Sequence, residues 1–579
     1  MLDQSPALKR FYFQKLQETA PPWHVICGFD EFSPGSKINA ENRRKHYALY
    51  FNFAELGGAC LSIDSTWFTP VVLRSKLIES VAGGWSCCLR LFLRQMLLGP
   101  QSLSIGGVIV QLGTNVKQLQ AKLGSLITDG EGWQKAIEFN GHSSMRPCFA
   151  HCNVFRKDSG MEDDALGYVD ITCSDYAKLR PWPRAQFRRT IDTVLQARDS
   201  LAKREAGWNA TRLANLITHA GFKPTPQGIL ADVELCNSVD IMAVSSYDWM
   251  HVCFQDGAMS TSIWLVLEAC SQHLRGNYWC DDFVAHLDAC QFPLYYNGAG
   301  RGLHRLFSRA MVRRHKNGNR IVANASHQFM LYPLVRDFAV KVAKDNPPLQ
   351  EDVAVFVAAC KVIDLITAAK YNRYSTRECK PMLLIAIQEW QDLHKLRYGT
   401  RYFRPKFVWL WAIARKFADQ AWVFDMWTIE RLHRRLRPQA ELVKNLTTFE
   451  ESVLFRVVDA QVCDLRCVAD LQALRHSLVG TRELTIEIDG VVAKAADKCC
   501  SDGRHHSCDD IVVSQAGLAA IILACILSDG RLLLKVELLR SVGKSVWART
   551  TQQAIWLALD VTQPTAWRQL DDGRLFVIV

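Results

Sequence analysis

The sequence predicts an α/β region that leads into a long, largely helical block and ends in a small β-rich domain. Short apolar runs bounded by turn residues fill the first 150 residues, whereas apolar residues three and four apart dominate from about residue 180 to 450. From about residue 476 the pattern returns to short alternating runs. The chain has 579 residues and needs several cores, because a single core stops growing at roughly 250 to 300 residues.

The first region predicts a sheet with helical cover. The runs with the length and apolar character of strands are 23–29, 46–53, 67–73, 106–112 and 123–128. Residues 75–98 (SKLIESVAGGWSCCLRLFLRQMLL) predict a helix among them. The order of these elements is typical of an α/β fold.

Two further patterns predict the rest of the chain. Helical periodicity is clear in 189–204, 352–371 and 407–436, which predicts a helical block. Beyond residue 476, short alternating runs separated by turn residues include ELTIEIDGVVAKA, RLLLKVELL and GRLFVIV. They predict a small β-barrel or sandwich.

Composition and charge limit the classes of protein to consider. Hydrophobic residues make up 49% and charged residues 22%, which is typical of a folded protein. The net charge is +11, and its basic residues cluster in 301–320 and 431–438. Such stretches predict contacts with an acidic polymer such as nucleic acid, and a solvated helix face is the alternative. The arginines that we assign to nucleic-acid binding are Arg313, Arg314, Arg431, Arg434 and Arg435.

Cysteine usage and hydropathy predict an intracellular protein that does not enter a membrane. The 20 cysteines lack the regular spacing of a secreted disulfide scaffold, and the charged N-terminus has no secretory signal. The most apolar late run, GLAAIILACILSDGRLLL, breaks at Ser-Asp-Gly, short of the roughly 20 residues that a span needs. Cys148 and Cys152 have the spacing of half a zinc site, with buried apolar cysteine as the alternative.

Two of the predicted strands end in aspartate, at Asp30 and Asp129. Carboxylates at the ends of neighbouring strands in an α/β sheet point into the crevice where ligands collect. With a third acid from a helix they could hold two Mg²⁺ ions about 4 Å apart, since hard cations prefer oxygen ligands. The alternative is that Asp30 starts a turn and Asp129 caps the following helix.

Three motifs in order carry a resemblance to a known family. They are ITDGEGWQKAIEFNGHSSMRPCFAHC (127–152), SSYDWMHVCFQDG (245–257) and the segment 404–437, which runs from RPKFVWLW to ERLHRRLR. Together they resemble the CACTA-related cut-and-paste transposases and their Plavaka-like (KDZ-like) relatives. The matching residues are Asp129, Gly141, His142, Ser143, Cys148 and Cys152 in the first motif, Asp248, Met250 and His251 in the second, and Glu430 and Arg431 in the third.

The resemblance implies an RNase H-like core with an Asp, Asp, Glu triad that binds Mg²⁺ or Mn²⁺ and cleaves and joins DNA. We expect the triad to be Asp30, Asp129 and Glu430, with Asp248 as the alternative third acid. The family's Asp-x-x-His pair is expected to have a structural or end-positioning role. DNA is the implied partner, the nucleus is the implied location, and the oligomeric state stays open.

The resemblance also implies a division of the chain. The first part of the core is expected over 1–155, a mainly helical insertion over 156–420, a helix completing the core over 421–475, and the β-rich domain over 476–579.

Departures from the family pattern keep other functions open. Phe407 and Val408 stand where relatives continue into histidines, and His327 stands where they tend to show an acid. Residues 1–22 hold no module that would recognise DNA ends, which indicates a truncated, degenerate or domesticated copy. The alternatives are a non-catalytic nucleic-acid-binding or scaffold protein derived from a transposase, and an unrelated helical interaction protein. In both, Glu430 would make only surface ion pairs with the arginines that follow it.

Overall fold

A computed structural model describes residues 2–578, apart from residues 35–44, 62, 158, 161–165, 275–279, 294–301, 372–373, 418, 420–422, 424, 467–475, 480–483, 489–490, 502–503, 529–530, 544, 563 and 571. The domain boundaries that the sequence predicts at residues 420 and 421, and the one at 475, lie outside the described residues.

The first half of the described chain contains a mixed sheet in the strand order β3-β2-β1-β6-β9. The strands of this half, which include the separate pairs β4-β5 and β7-β8, are Trp23–Phe32 (β1), His46–Phe53 (β2), Phe68–Arg74 (β3), Val108–Leu112 (β4), Asn115–Leu119 (β5), Ala121–Thr128 (β6), Val154–Phe155 (β7), Val169–Asp170 (β8) and Ser245–Tyr247 (β9). β1, β2 and β3 pair antiparallel, whereas β6 runs parallel to β1 and β9 runs parallel to β6. The predicted sheet is confirmed for the runs 23–29, 46–53, 67–73 and 123–128, whereas the run 106–112 forms β4, which pairs with β5 in a separate two-stranded sheet. β9 joins the larger sheet from within the region predicted to be helical.

Helices cover this sheet. They are Pro6–Glu18 (α1), Gly57–Leu61 (α2), Ser75–Ser80 (α3), Gly84–Leu97 (α4) and Gly130–Ala136 (α5). The prediction of one helix over 75–98 is wrong, because the chain leaves the helix after Ser80 and starts again after Gly83. Gly83 has a φ of 84°, and a Cβ there would lie 3.0 Å from the Cβ of Gln227. Glycine is therefore the residue suited to this break.

The predicted helical block is confirmed. Its helices are Arg184–Ala202 (α6), Ala210–Ala220 (α7), Val233–Ser238 (α8), Ile241–Val244 (α9), Trp249–Cys253 (α10), Ala258–Ser271 (α11), Cys280–Asp288 (α12), Arg309–Gly318 (α13), Ala325–Lys344 (α14), Gln350–Lys370 (α15), Thr376–Tyr398 (α16), Pro405–Lys416 (α17), Met426–Leu442 (α18) and Phe449–Arg466 (α19). The helical periodicity over 407–436 belongs to two helices, since α17 ends at Lys416 and α18 begins at Met426.

A continuous apolar core joins the sheet to the helical block. Trp23 and Trp133 from the sheet side and Trp249 and Trp411 from the helical side are fully buried in it. The late helix α19 packs back on the sheet, where Arg74 Nε lies 2.6 Å from Glu450 Oε1. The chain therefore returns to its first sheet after the helical block.

Antiparallel strands form the C-terminal region. They are His476–Leu478 (β10), Leu484–Ile488 (β11), Val491–Ala496 (β12), Lys498–Ser501 (β13), Arg504–Ser507 (β14), Ile511–Val513 (β15), Ala519–Ser528 (β16), Arg531–Gly543 (β17), Val546–Leu557 (β18), Trp567–Gln569 (β19) and Leu575–Val577 (β20). In the described residues, β10, β13 and β14 form a small sheet beside a larger one. Arg568 and Asp337, 3.6 Å apart, link this β-rich region to α14. Across the described ranges, no helix is both long and apolar enough to span a membrane.

Candidate active site

The parallel pairing of β1 with β6 brings Asp30 and Asp129 to one edge of the sheet. The last paired residues are Gly28 and Ile127, and the Thr128 hydroxyl donates to the Phe29 carbonyl at 2.9 Å. Continuing this register by two residues sets Asp30 level with Asp129, the residue that follows β6. β1 itself runs on to Phe32 by pairing with β2, so only its pairing with β6 ends before Asp30.

Glu31, the next residue along β1, belongs to the opposite face, as alternation along a strand requires. Its carboxylate accepts from the Ser75 hydroxyl at 2.5 Å and pairs with Lys45 at 2.9 Å and Lys135 at 3.2 Å. Asp30 accepts a hydrogen bond from the Glu31 backbone N–H at 2.7 Å. The two neighbouring acids are therefore in different environments, and Asp30 is the one beside Asp129.

Asp129 caps helix α5 and keeps one oxygen free of that task. Its Oδ1 accepts from the backbone N–H of Gly132 at 2.5 Å. A side chain at Gly132 would collide with the Thr128 hydroxyl, so glycine allows this tight turn. Because a carboxylate has about four acceptor positions on two oxygens, capping and cation binding are compatible at this residue.

Asp248 follows β9 as Asp129 follows β6, but its oxygens are already used. It is buried and caps α10 by accepting from the backbone N–H groups of Met250 at 3.3 Å and His251 at 2.9 Å. It also accepts from the His251 ring at 2.5 Å and from the Met426 backbone N–H at 3.1 Å, at the start of α18. This saturation favours Glu430 over Asp248 as the third acid.

Glu430 lies in the second turn of α18, accessible to solvent but with protein close around it. Burial and the charges of Asp248 and Asp425 raise its pKa, while His251 and Arg434 oppose the shift. The alternative of surface ion pairs with its neighbouring arginines stays a prediction, because exposed Arg434 lies one turn after Glu430 and its charge acts on this carboxylate. Arg431 Nε lies 3.4 Å from Asp64, and Arg435 pairs with Asp464.

Burial and neighbouring carboxylates change the pKa of Asp30. Burial, followed by the negative charge of Asp129, raises the pKa of Asp30 to about 7, and Glu430 adds to this rise. The Glu31 N–H and the charge of His251 act in the opposite direction. The charges of Asp129 and Glu430 therefore both act on Asp30, although the three residues are far apart in sequence. We call Asp30, Asp129 and Glu430 the carboxylate cluster.

Two histidines lie at the carboxylate cluster. Burial would lower the pKa of His251, but the hydrogen bond that its ring donates to Asp248 and the charges of Asp248, Asp129 and Asp30 raise it. His433, one turn after Glu430, has its Nδ1 3.9 Å from Asp30 Oδ2 and its ring stacked on Phe32. Burial lowers the pKa of His433 to about 3, so this ring is neutral and forms no ion pair. The sequence motif included His251, whereas His433 had no sequence signal beyond its spacing from Glu430.

Lys406 is a residue of the site that sequence reasoning left without a role. Its Nζ donates to the His251 carbonyl at 3.0 Å and to the Gln255 carbonyl, which joins α17 to α10. Burial lowers its pKa to about 8, and the charges of Asp256, Asp129 and Asp248 oppose this. The available signal was the RPK segment of the third motif, in which Lys406 is the lysine.

The predicted nucleic-acid arginines fall into two groups. Arg313 and Arg314 on α13 and Arg434 on α18 are exposed. Arg431 instead forms an ion pair with Asp64, and Arg435 forms one with Asp464. Arg404, which was not predicted, donates to the Gly318 carbonyl at 2.7 Å and so links the end of α13 to the start of α17. Cationic residues therefore extend from α13 towards Lys406.

Cys148 and Cys152 occupy separate local environments. Cys148 Sγ lies 3.3 Å from His151 Nδ1, whereas the Cys152 thiol donates to the Pro181 carbonyl at 3.5 Å. Burial raises the pKa of Cys148 to about 11 and lowers that of His151 to about 3, so both groups are neutral. Zinc at this pair stays a prediction.

The donor set of the carboxylate cluster fits a hard divalent cation. Among the residues that the structure describes, no three His, Cys, Asp or Glu side chains lie close enough together to hold a metal ion as they stand. Carboxylates without a counter-charge repel one another, and the raised pKa of Asp30 reflects that repulsion together with burial. A divalent cation would offset both effects, and oxygen ligands suit Mg²⁺ and Mn²⁺.

Neither a search against models of protein families nor a search of curated proteins finds a match to this chain.

Proposed function

We propose that this protein is a transposase-like enzyme that cleaves and joins DNA strands through Asp30, Asp129 and Glu430. The observation that carries the proposal is the position of Asp30 and Asp129 at the edge where β1 and β6 end their pairing, together with the effect of the Glu430 charge on Asp30. Acids with raised pKa values, as Asp30 and Glu430 have, are typical of functional sites.

The sheet supports an RNase H-like core. Three antiparallel strands followed by two parallel ones, in the order β3-β2-β1-β6-β9, form the sheet expected of that fold. The helices from α10 to α17 then separate β9 from α18, which carries Glu430. The resemblance implies a helical insertion over 156–420, and α10 to α17 occupy its later part, whereas β9 lies within those bounds and pairs with β6.

The residues of the site have separate roles in the proposed reaction. Asp30 and Asp129 would hold the divalent cations from the sheet edge, and Glu430 would approach from α18. Bound cations would activate a water or a 3′-hydroxyl and stabilise the oxygen that leaves phosphorus. The attacking oxygen forms a bond to phosphorus while the bond from phosphorus to the 3′-oxygen breaks.

DNA is the partner that the surface charge suits. Exposed Arg313, Arg314 and Arg434 would contact phosphates, and a nuclear location would follow from that partner. Binding through phosphates should weaken steeply as salt rises.

The test is nicking and strand transfer on DNA that carries the flanking repeats of the gene's own locus, with Mg²⁺ or Mn²⁺ supplied. Wild-type chain should cut, and Asp129→Asn should not. Glu131→Gln is the matched control, because Glu131 is an exposed acid on α5 that pairs with Lys135 at 3.1 Å. Equal cutting by all three proteins would contradict the proposal.

A non-catalytic DNA-binding or scaffold role is the second candidate. It is favoured by the finding that no three ligand side chains in the described residues are close enough to hold a metal as they stand. In that case the wild-type chain would bind DNA without cutting it, and Asp30→Asn would leave binding unchanged.

A further inference from the structure

We infer that His251 is a nitrogen ligand of the divalent cation at the carboxylate cluster, and that Asp248 is the residue that orients its ring. This inference rests on the proposed function, since it concerns the same metal site. It gives the site a mixed nitrogen and oxygen donor set in place of carboxylates alone.

The first step is the position of His251 in the fold. Asp248 is the residue after β9, so it stands third in the row that Asp30 and Asp129 begin across the sheet edge. His251 lies one helical turn further on, in α10, and its charge interacts with those of Asp30, Asp129 and Glu430. His251 therefore lies within one helical turn of this row of aspartates.

The second step is the state of the ring. Asp248 Oδ2 lies 2.5 Å from Nδ1 of His251, so Nδ1–H donates to Asp248 and Nε2 is the nitrogen at which a cation would take the place of a proton. Histidines that bind metals almost always donate their other ring N–H to a carboxylate or carbonyl. The Asp248–His251 pair has this arrangement.

The third step is the rigidity of the pair. Asp248 has no exposed side-chain surface and accepts from Met250, His251 and Met426 backbone N–H groups. Lys406, on α17, donates a hydrogen bond from its Nζ to the His251 carbonyl. A carboxylate that is fixed from both α10 and α18 can hold the imidazole in a single orientation, which is what a metal ligand needs.

The other nearby histidine does not have these features. His433 is neutral, its ring stacks on Phe32, and no carboxylate lies within hydrogen-bond distance of its nitrogens among the described residues. His433 is therefore the matched control for His251.

The consequence is a metal preference. Imidazole nitrogen binds Mn²⁺ and Co²⁺ better than Mg²⁺, which prefers oxygen. We expect His251→Gln to lower Mn²⁺ affinity by at least about tenfold, a typical effect of disturbing a metal's ligand shell, and to change Mg²⁺ affinity much less.

The experiment is pulsed electron paramagnetic resonance of the full chain loaded with Mn²⁺. The wild-type protein should show a directly bound ¹⁴N coupling, and ¹⁵N-histidine labelling should convert it to a ¹⁵N coupling without any substitution. His251→Gln should abolish the coupling and His433→Gln should keep it. The inference is overturned if the wild-type chain shows no histidine coupling, or if His433→Gln is the variant that abolishes it.

Mn²⁺ titrations of the wild-type chain, Asp30→Asn and Asp129→Asn, followed by the same spectroscopy, separate this inference from the proposed function. Mn²⁺ that binds in a manner dependent on Asp30 and Asp129, but without nitrogen coupling, overturns only the role of His251. Mn²⁺ that fails to bind, or that binds equally well to Asp30→Asn and Asp129→Asn, overturns both.

Discussion

Two neighbouring parallel strands, β6 and β9, each end in an aspartate that caps the next helix, yet the two aspartates have different surroundings. Asp129 gives one oxygen to the Gly132 N–H and lies beside Asp30. Asp248 accepts four hydrogen bonds and is buried. The difference teaches that a strand-end carboxylate is open to a ligand only when its oxygens are not already satisfied by the protein.

The largest effect should come from Asp129→Asn. The amide keeps an oxygen for the cap of α5 but loses the charge that a cation needs, so we expect cleavage to fall by roughly a thousandfold, or about 4 kcal/mol of transition-state stabilisation. Urea unfolding should show little loss of stability, because the cap bond to Gly132 remains. Cleavage rates for this variant and for Glu131→Gln measure the effect, and similar rates would remove Asp129 from the site.

Asp248→Ala should instead destabilise the fold. It removes the cap of α10, the bond to Met426 and the partner of the buried His251 ring, at a cost of about 3 kcal/mol in the free energy of unfolding. Urea denaturation of this variant beside Asp129→Ala gives the comparison. If Asp129→Ala costs as much stability as Asp248→Ala, the distinction between an open and a satisfied aspartate is wrong.

The sequence could predict Asp30 and Asp129 because each follows a clear apolar run, and these runs form β1 and β6. It could not predict their contrast with Asp248, since β9 has three residues and lacks a readable period. Glu430 and Lys406 reach the site only when α17 and α18 fold back on the sheet, and sequence periodicity does not encode that packing. The Gly83-Gly84 pair is a sequence signal for the break between α3 and α4. The helical spacing of apolar residues on both sides of it nevertheless favours one helix over 75–98.

The raised pKa of Asp30 in the carboxylate cluster should make the free energy of unfolding depend on pH. The pKa of Asp30 is raised from its ordinary 3.8 to about 7, so the folded state holds this proton more tightly than the unfolded state. Protonated Asp30 therefore contributes to the free energy of unfolding below about pH 4, and this contribution is lost as the pH rises through 7. After allowance for partial exposure of the side chain, the loss is roughly 2 kcal/mol. Urea unfolding between pH 4 and 8 in EDTA should show this decline. Asp30→Asn should flatten it, and an unchanged profile would contradict the raised pKa.

The smallest effect should come from the arginines. Arg434 is exposed, whereas Arg435 on the same helix pairs with Asp464. We expect Arg434→Ala to weaken DNA binding by about 1 kcal/mol and to reduce the slope of affinity against salt by about 1, while Arg435→Ala changes the slope less. Fluorescence anisotropy across a salt series measures both slopes. A larger change for Arg435→Ala would mean that the Asp464 pair opens to DNA.

The central claim is that Asp30, Asp129 and Glu430 form one metal site at the sheet edge. The most direct measurement is anomalous X-ray scattering from crystals of the full chain soaked in Mn²⁺. We expect an anomalous peak that is coordinated by Asp30 and Asp129 and lies within reach of Glu430. A peak elsewhere, or Mn²⁺ that leaves these three carboxylates unliganded, would contradict the account.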